Sequence, residues 1–484
     1  MKVFLAGYNL DADVIAELKK NNSRQDITPE TLSAAYARIS RDPRPINELR
    51  RDARAEVEKS RKSNQKIIFG LGHSSVAEHA VFNFDVIDVS RRAMEELEKF
   101  RLCSYTEKSQ RYITLDSAYI TPPEICGTHL ETDFHKLQKN LMALYERCYA
   151  KLKTYVWEKH AALAAEPQNK NLLEGWAKED ARYITSLAVG AQAGLTLNAR
   201  NLEKMLRRFA SHSLQEIRDL GVQLHTLVKD IAPSIIKYPE ANAYDRDTYA
   251  DLRKYTQKII KKNSLISQKN KTCRLIDYTK SGDAKILAAL TARSTNLPYK
   301  EALSAVQKMT MKQKRDIFKI CVQNMQMWDV MLREYELAEL TFELIVSASC
   351  FAQLKRHRLL TLLAADYEPA LGLRLPPALE AAGLAGDFVR AAHDAEKLYA
   401  RLKKENPAAA DYALTNAHQR RVICKVNLRE LYHISRLRED AHAQWDIREI
   451  AALLTAAARE VFPLTASFLG GKDKYAELHA EICG

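Results

Sequence analysis

The alternation of apolar and polar positions opens the chain on a strand. Residues 1–10 (MKVFLAGYNL) form an apolar run that stops at Asp11, too short for a signal peptide and suited to a buried first strand. Apolar spacing of three and four predicts a helix over 29–40 and a more highly charged one over 48–70. Val81 to Val89 has the period of two, with Phe82, Phe84 and Val86 on one side, as in a half-buried strand. Ser90 then caps a helix predicted to run to about Phe100. Helices are expected near 130–165, 177–190 and 199–232, the last carrying Leu202, Met205, Leu206 and Phe209 as a buried stripe. Trp328 and Trp445 are expected in the core. From about Pro239 the composition turns to Tyr, Lys, Asn and Asp, with Lys258, Lys261, Lys262, Lys269 and Lys271 making the stretch basic. It reads as a solvated helix and linker.

Beyond the linker the pattern starts again. CRLIDYT (273–279) has strand character, and Ala284 to Thr295 echoes Leu32 to Ser40, with Arg38 and Arg293 standing 255 residues apart. Leu340 to Ser349 reads as a strand and Cys350 to Arg358 as a helix end. Residues 427–450 echo 198–217, but His212 and His442 are only 230 apart, so the halves differ by deletions. We read two diverged copies of one fold: a domain over 1–240, a linker over 241–271, and a second domain over 272–484. With 15 glycines and 14 prolines in 484 residues, the expected class is helix-rich α+β, a sheet with flanking helices in each copy.

Composition narrows the function classes. The net charge of +13 favours anionic partners such as nucleotides and phosphorylated cofactors; nucleic acid would rest on that charge and the basic linker alone, and is disfavoured. No window approaches eighteen apolar residues, so no membrane helix is expected. The eight cysteines are scattered with no C-x-x-C pair, which points to reduced thiols in the cytoplasm and to no metal site.

The densest chemistry lies in His73 to Tyr112. His73, Glu78 and His79 precede the strand, and Ser104-Tyr-Thr-Glu-Lys-Ser-Gln-Arg111 places hydroxyls, an amide, a carboxylate and a guanidinium in eight residues. Such donors around one arginine suit a phosphate or a nucleotide edge. These residues resemble the signature region of the flavin-dependent thymidylate synthases, which carry an H-x4-EH element, a strand and helix, an Arg-His-Arg triplet, and an S-[YF]-x-E-x-S-x-R-Y loop. One departure stands out: the triplet position holds Lys99-Phe100-Arg101.

The second copy has lost other parts. It keeps the triplet as Arg356-His357-Arg358, with Gln353 one turn before it, where Glu96 stands in the first copy. Allowing one residue of slip, Met331 stands for His73, and Glu336-Leu337 for Glu78-His79. In its loop Asp366 replaces Ser109 and Glu368 replaces Arg111, carboxylates that would repel a phosphate. Arg438 and His442, four apart on a predicted helix, resemble the family's nucleotide- and flavin-contacting helix, of which Arg208 and His212 are the first copy's reduced form. Arg182 matches a family arginine on the nucleotide phosphate, and its second-copy counterpart is about Asp411.

The resemblance implies transfer of a one-carbon unit from methylenetetrahydrofolate to C5 of dUMP or a related pyrimidine nucleotide, with FAD as cofactor and NADPH as reductant. By resemblance, Ser109 and Arg438 are catalytic. His73, Glu107, Arg356, His357, Arg358 and His442 bind the flavin. Ser104, Ser109, Gln110, Arg111, Arg182, Gln353 and Arg438 bind the nucleotide. The family builds its sites between subunits of a tetramer, so the complementary losses imply composite sites in a homodimer acting as a pseudo-tetramer. The alternative is a non-catalytic or regulatory FAD- or nucleotide-binding protein.

Overall fold

The computed structural model describes all residues except 22–27, 40–41 and 261–270; Lys261, Lys262 and Lys269 of the basic linker lie outside the described residues. Each of two compact units holds a four-stranded antiparallel sheet. In the first, β1 (Lys2–Tyr8), β2 (Val81–Ser90), β3 (Ser104–Glu107) and β4 (Gly190–Asn198) are ordered β1-β2-β4-β3. In the second, β5 (Cys273–Tyr278), β6 (Glu339–Ser347), β7 (Thr361–Tyr367) and β8 (Gln419–Asn427) repeat that order as β5-β6-β8-β7.

The repetition extends to irregularities. Leu5 pairs Phe84 and Leu275 pairs Phe342, and in both first strands the register shifts immediately afterwards, between Leu5 and Gly7 and between Leu275 and Asp277. The helix after β2 is capped by Ser90, whose side chain accepts from Ala93 N, and the helix after β6 by Ser347, accepting from Cys350 N. Asn198 and Asn427 likewise cap the helices after β4 and β8. Each hydroxyl or amide satisfies a backbone N–H that the first helical turn leaves open.

One irregularity is not shared. Asp88 sits at φ 56° in a bulge of β2, between Ile87 and Val89, whereas β6 runs through without a shift. The extra residue accounts for the one-residue slip between the copies: Phe84 and Phe342 are 258 apart, Ser90 and Ser347 only 257.

Alternation decides the cores. Phe82, Phe84 and Val86 of β2, and Leu340, Phe342 and Leu344 of β6, are buried against helices, while Asn83, Asp85 and Glu343 point away. Strands β4 and β8 were not anticipated. Ala191, Ala193, Leu195 and Leu197 do alternate inward, but small residues and two glycines mute the pattern, and helix was expected up to residue 190. The helix there ends at Ala181, followed by a single 3-10 turn, Arg182–Ile184. The helix expected over 199–232 is two, Ala199–Ala210 and Gln215–Val228. Trp328 is 75% exposed, and Trp445 lies under the Arg374 guanidinium at 4.8 Å; neither is the core aromatic expected.

The packing units do not coincide with the sequence halves. Met1–Ser267 and Ala378–Thr415 form the first unit, Gln268–Pro377 and Asn416–Gly484 the second. Within the first, Arg401 Nη1 meets Asp133 at 2.5 Å, and Leu187 N donates to Leu414 O at 2.8 Å. Ser186 bridges Thr415, its counterpart 229 residues on. Residues of equivalent sequence position thus pair with each other there, as in an isologous contact.

Candidate functional site

In the first unit the hydroxyl-rich loop begins as β3, so Ser104 is an exposed strand residue opposite Thr196, and Glu107 lies opposite Ala193. Ser104, Thr106, Asn83, Asp85 and Thr196 line a shallow groove of about 230 Å³ on the open sheet face. Past the strand the chain turns against the helix Lys170–Ala181. Ser109 Oγ accepts from Arg111 N at 3.2 Å, closing the turn, and Gln110 is buried. Arg111 Nε donates to Glu179 at 2.8 Å, while its two Nη groups make no hydrogen bond among the described residues. Arg182 is buried nearby, and burial together with the neighbouring Arg111 and Arg91 pushes its pKa down. Arg111 and Arg182 are therefore brought together, with Glu179 orienting the first, in a cluster that favours an incoming anion.

His73 lies apart from that cluster, exposed at the start of the 3-10 turn Ser74–His79. Glu78 pairs with Arg200, and His79 meets the Tyr36 ring edge-on at 4.6 Å.

The second unit builds the triplet around one buried histidine. His357 is 4% exposed, and its Nε2 accepts from Arg438 Nε at 3.0 Å while Nδ1 lies 3.7 Å from Glu430. Burial, with Arg438 and His433 adding to it, holds its pKa below the ordinary histidine value. An Nε2 that accepts must be unprotonated, so the proton belongs on Nδ1, toward Glu430. Arg356 and Arg358, on either side, are exposed. Gln353 Nε2 donates to Gln444 at 3.2 Å, and its Oε1 is buried with no hydrogen-bond partner. A groove of about 200 Å³ opens beside this cluster, lined by Leu359, Arg429, Glu430 and His433 among others. Glu430, His433 and Gln444 were missed from the sequence. Glu430 and His433 stand one turn apart behind the Asn427 cap, a spacing that puts them on neighbouring positions of one helix face.

The expectation that His442 shares a helix face with Arg438 is corrected. The helix Leu428–Arg438 ends at the arginine, and the next begins at Trp445. His442 is exposed in the turn between and binds Asp440 through Nδ1 at 2.9 Å. The same correction applies to Arg208 and His212: that helix stops at Ala210, and His212 Nε2 faces Glu96 at 3.4 Å.

The divergent positions are absorbed into packing. Phe100, where the histidine is missing, meets Phe209 edge-on at 5.8 Å. Glu96 is held by Arg92 at 2.6 Å and by Lys99, with His212 Nε2 at 3.4 Å; despite its burial, Arg92 first and these other contacts hold its carboxyl well below the usual carboxylate range. Asp411, in place of Arg182, accepts from Arg92 Nε at 3.2 Å. In the second unit Thr361 takes the ladder position of Ser104, each facing the residue two before the capping Asn. That shared ladder runs only to Ala364, where the β7 register shifts before Asp366 and Glu368; at the shift Arg420 stacks on Tyr367 at 4.3 Å and Phe351 at 4.9 Å and donates to Ala365 O.

None of the eight cysteines forms a disulfide among the described residues. No group of three or more potential metal ligands occurs among the described residues, and no helix among them is long and apolar enough to cross a membrane.

The family model described as thymidylate synthase complementing protein matches residues 24–234 and again 274–464. A flavin-dependent thymidylate synthase of Clostridium tetani is 31% identical over 214 residues, 43% of this chain and 82% of that protein. A UPF0159 protein of Thermoplasma acidophilum is 22% identical over 483 residues, 90% of this chain and 94% of its own length. Among solved structures, thymidylate synthase X of Helicobacter pylori with FAD and dUMP aligns with a TM-score of 0.28 and 19% identity, covering 49% of this chain and 99% of that one.

Proposed function

Because the chain belongs to the thymidylate synthase complementing protein family, the flavin-dependent thymidylate synthases, and carries the family's region twice, we propose that it methylates C5 of dUMP or a related pyrimidine nucleotide at sites composed from both copies. It is an FAD-dependent thymidylate synthase-like enzyme. The observation that carries the composite reading is the complementary retention of parts. Ser109 and Arg111 survive only in the first copy, and the His357–Arg438 pair only in the second.

The chemistry of the residues fits this division. Arg111 and Arg182, with Ser104, Ser109 and Gln110, hold the nucleotide and its phosphate. In the second copy, Arg356 and Arg358 offer guanidinium forks to the diphosphate of FAD around His357. The buried, unpartnered Gln353 Oε1 is an acceptor for a heterocycle N–H. His73, Glu107 and His442 complete the flavin contacts. Arg438, oriented by His357, places positive charge by the pyrimidine and favours negative charge at C5, with Ser109 beside it as the second catalytic group. Bound FAD, reduced by NADPH, supplies the hydride, and methylenetetrahydrofolate the carbon. The assembly is a homodimer acting as a pseudo-tetramer, with two competent sites of four. The test is tritium release from 5-tritiated dUMP with folate and NADPH present, in wild type, Arg111→Ala and Arg356→Ala. Release in wild type and loss in both variants is expected. FAD-bound wild type that releases no tritium overturns the synthase reading, and Arg356→Ala with full activity overturns the composite site.

A further inference from the structure

The helix Ala243–Ile259 lies outside both family regions, between residues 234 and 274. Its first turn is anchored. Asn242 and Asp245 form a reciprocal capping box, and Asp245 also accepts from Arg207 at 2.7 Å. Beyond that first turn the helix has no buried residue. Yet Tyr244, Thr248, Leu252, Tyr255 and Ile259 recur at steps of four, four, three and four, which draws one apolar stripe along it. The four large members are 67%, 52%, 64% and 61% exposed. A helix of this length is marginal alone in water, where packing of an apolar face supplies most helical stability. A contiguous exposed stripe on such a helix marks a contact surface.

Charge selects the occupant. Asp247, Asp251, Lys254 and Lys258 follow the same heptad-like steps of four, three and four, so they line one flank of the stripe. The acidic pair is N-terminal and the basic pair C-terminal. A second copy of this helix, laid antiparallel across a two-fold axis, sets Asp247 and Asp251 of each chain against Lys254 and Lys258 of the other, on the same flank. The apolar positions close on themselves too: Tyr244 falls opposite Ile259, Thr248 opposite Tyr255, and Leu252 near the axis. An anionic surface such as nucleic acid would repel the acidic half, and a parallel pair would leave both charge pairs unmatched.

We propose that the helix Ala243–Ile259 is a homotypic docking element that joins two chains as an antiparallel helix pair. The inference does not depend on the flavin reading, because its readout is mass and cross-linking rather than activity. The full chain is measured by sedimentation equilibrium as wild type, as Leu252→Asp/Tyr255→Asp, and as the charge variants Asp247→Lys/Asp251→Lys and Lys254→Asp/Lys258→Asp. Wild type is expected at twice the chain mass. The apolar variant should weaken association at least tenfold. Each charge variant should associate poorly alone, and the two mixed should recover. In a Cys126→Ser background, Leu252→Cys should form a disulfide with its own counterpart under mild oxidation, whereas Tyr244→Cys should not. Because the substituted side chains are solvent-exposed, circular dichroism of the variants should match wild type. A wild type that stays at the mass of one chain overturns the proposal. So does a dimer indifferent to all three variants, or cross-linking at Tyr244→Cys but not at Leu252→Cys.

Discussion

Replacing His357 by phenylalanine, the residue at the equivalent position 100, isolates what the retained histidine does. The ring is nearly isosteric, so packing inside a site with 4% exposure is kept. What disappears is the Nε2 acceptor for Arg438 at 3.0 Å and the Nδ1 group 3.7 Å from Glu430. A hydrogen bond to a charged group contributes about 1.5–3 kcal/mol. Arg438 is only half-buried and can recover water, so the lower end applies, about 1.5–2 kcal/mol. For a unit of this size each kcal/mol moves the melting temperature by roughly 2–4 °C, giving a fall of about 3–8 °C.

The pH dependence sharpens the test. Because the fold lowers the pKa of His357, the unfolded chain binds the extra proton first as the solution is acidified. Its contribution is therefore fully present above about 6.5, the unfolded value, and is lost as pH falls below that toward the folded value. Scanning calorimetry of wild type and variant between pH 8 and pH 5 should show a gap that is largest at pH 7.5 and narrows in acid. Equal melting at pH 7.5, or a gap that stays constant to pH 5, would refute the assignment of a neutral, accepting Nε2.

Two further substitutions probe the structure around the sites. Asp411→Ala removes one of the two carboxylates on Arg92; breaking a buried pair costs about 3–5 kcal/mol, and since Glu96 remains at 2.6 Å the low end, about 3, is expected in urea unfolding. A loss under about 1 kcal/mol would mean that Arg92 does not need it. Gly282→Ala would bring a Cβ within 2.3 Å of the Phe462 ring, and such overpacking costs about 1–3 kcal/mol. Unchanged melting would show that the ring swings aside freely.

Much of this architecture was legible from period and motif. β1, β2, β5 and β6 were placed to within a residue or two, because each has strong apolar alternation or a continuous apolar run. β4 and β8 were not, for physical reasons that differ. In β4 the inward residues include alanines and the outward ones glycines, so contrast is weak. In β8 the arginines of Gln419-Arg-Arg-Val include one that turns inward, Arg420, paid for by stacking on two rings rather than by exposure. The site residues divide similarly. Arg438 and His357 were named separately, yet their mutual hydrogen bond is a tertiary fact that no spacing contains. His442 was placed by helical periodicity across a helix end that the sequence does not mark, since neither Gly nor Pro stands there to stop the helix. The fate of residues 378–415, which fold with the first unit, is equally invisible to a repeat period, because periodicity reports ancestry and not packing partner.

The copies did not decay into neutral ruins; several lost groups were replaced by ones that the neighbourhood now uses. Phe100 rests on Phe209, Glu96 gathers Arg92, Lys99 and His212, and Arg208 lies 3.9 Å from Asp245, which is already bonded to Arg207. Restoring a histidine at position 100 would therefore not restore the second unit's arrangement. The new imidazole would face an aromatic ring, the matching arginine would be held by a carboxylate at the foot of the linker helix, and the glutamine position would carry an ionised glutamate. At least three positions would have to change together, and each single reversion breaks a contact before it makes one. That barrier makes each replacement hard to reverse singly. Where a replacing group has become structural, that use closes the way back.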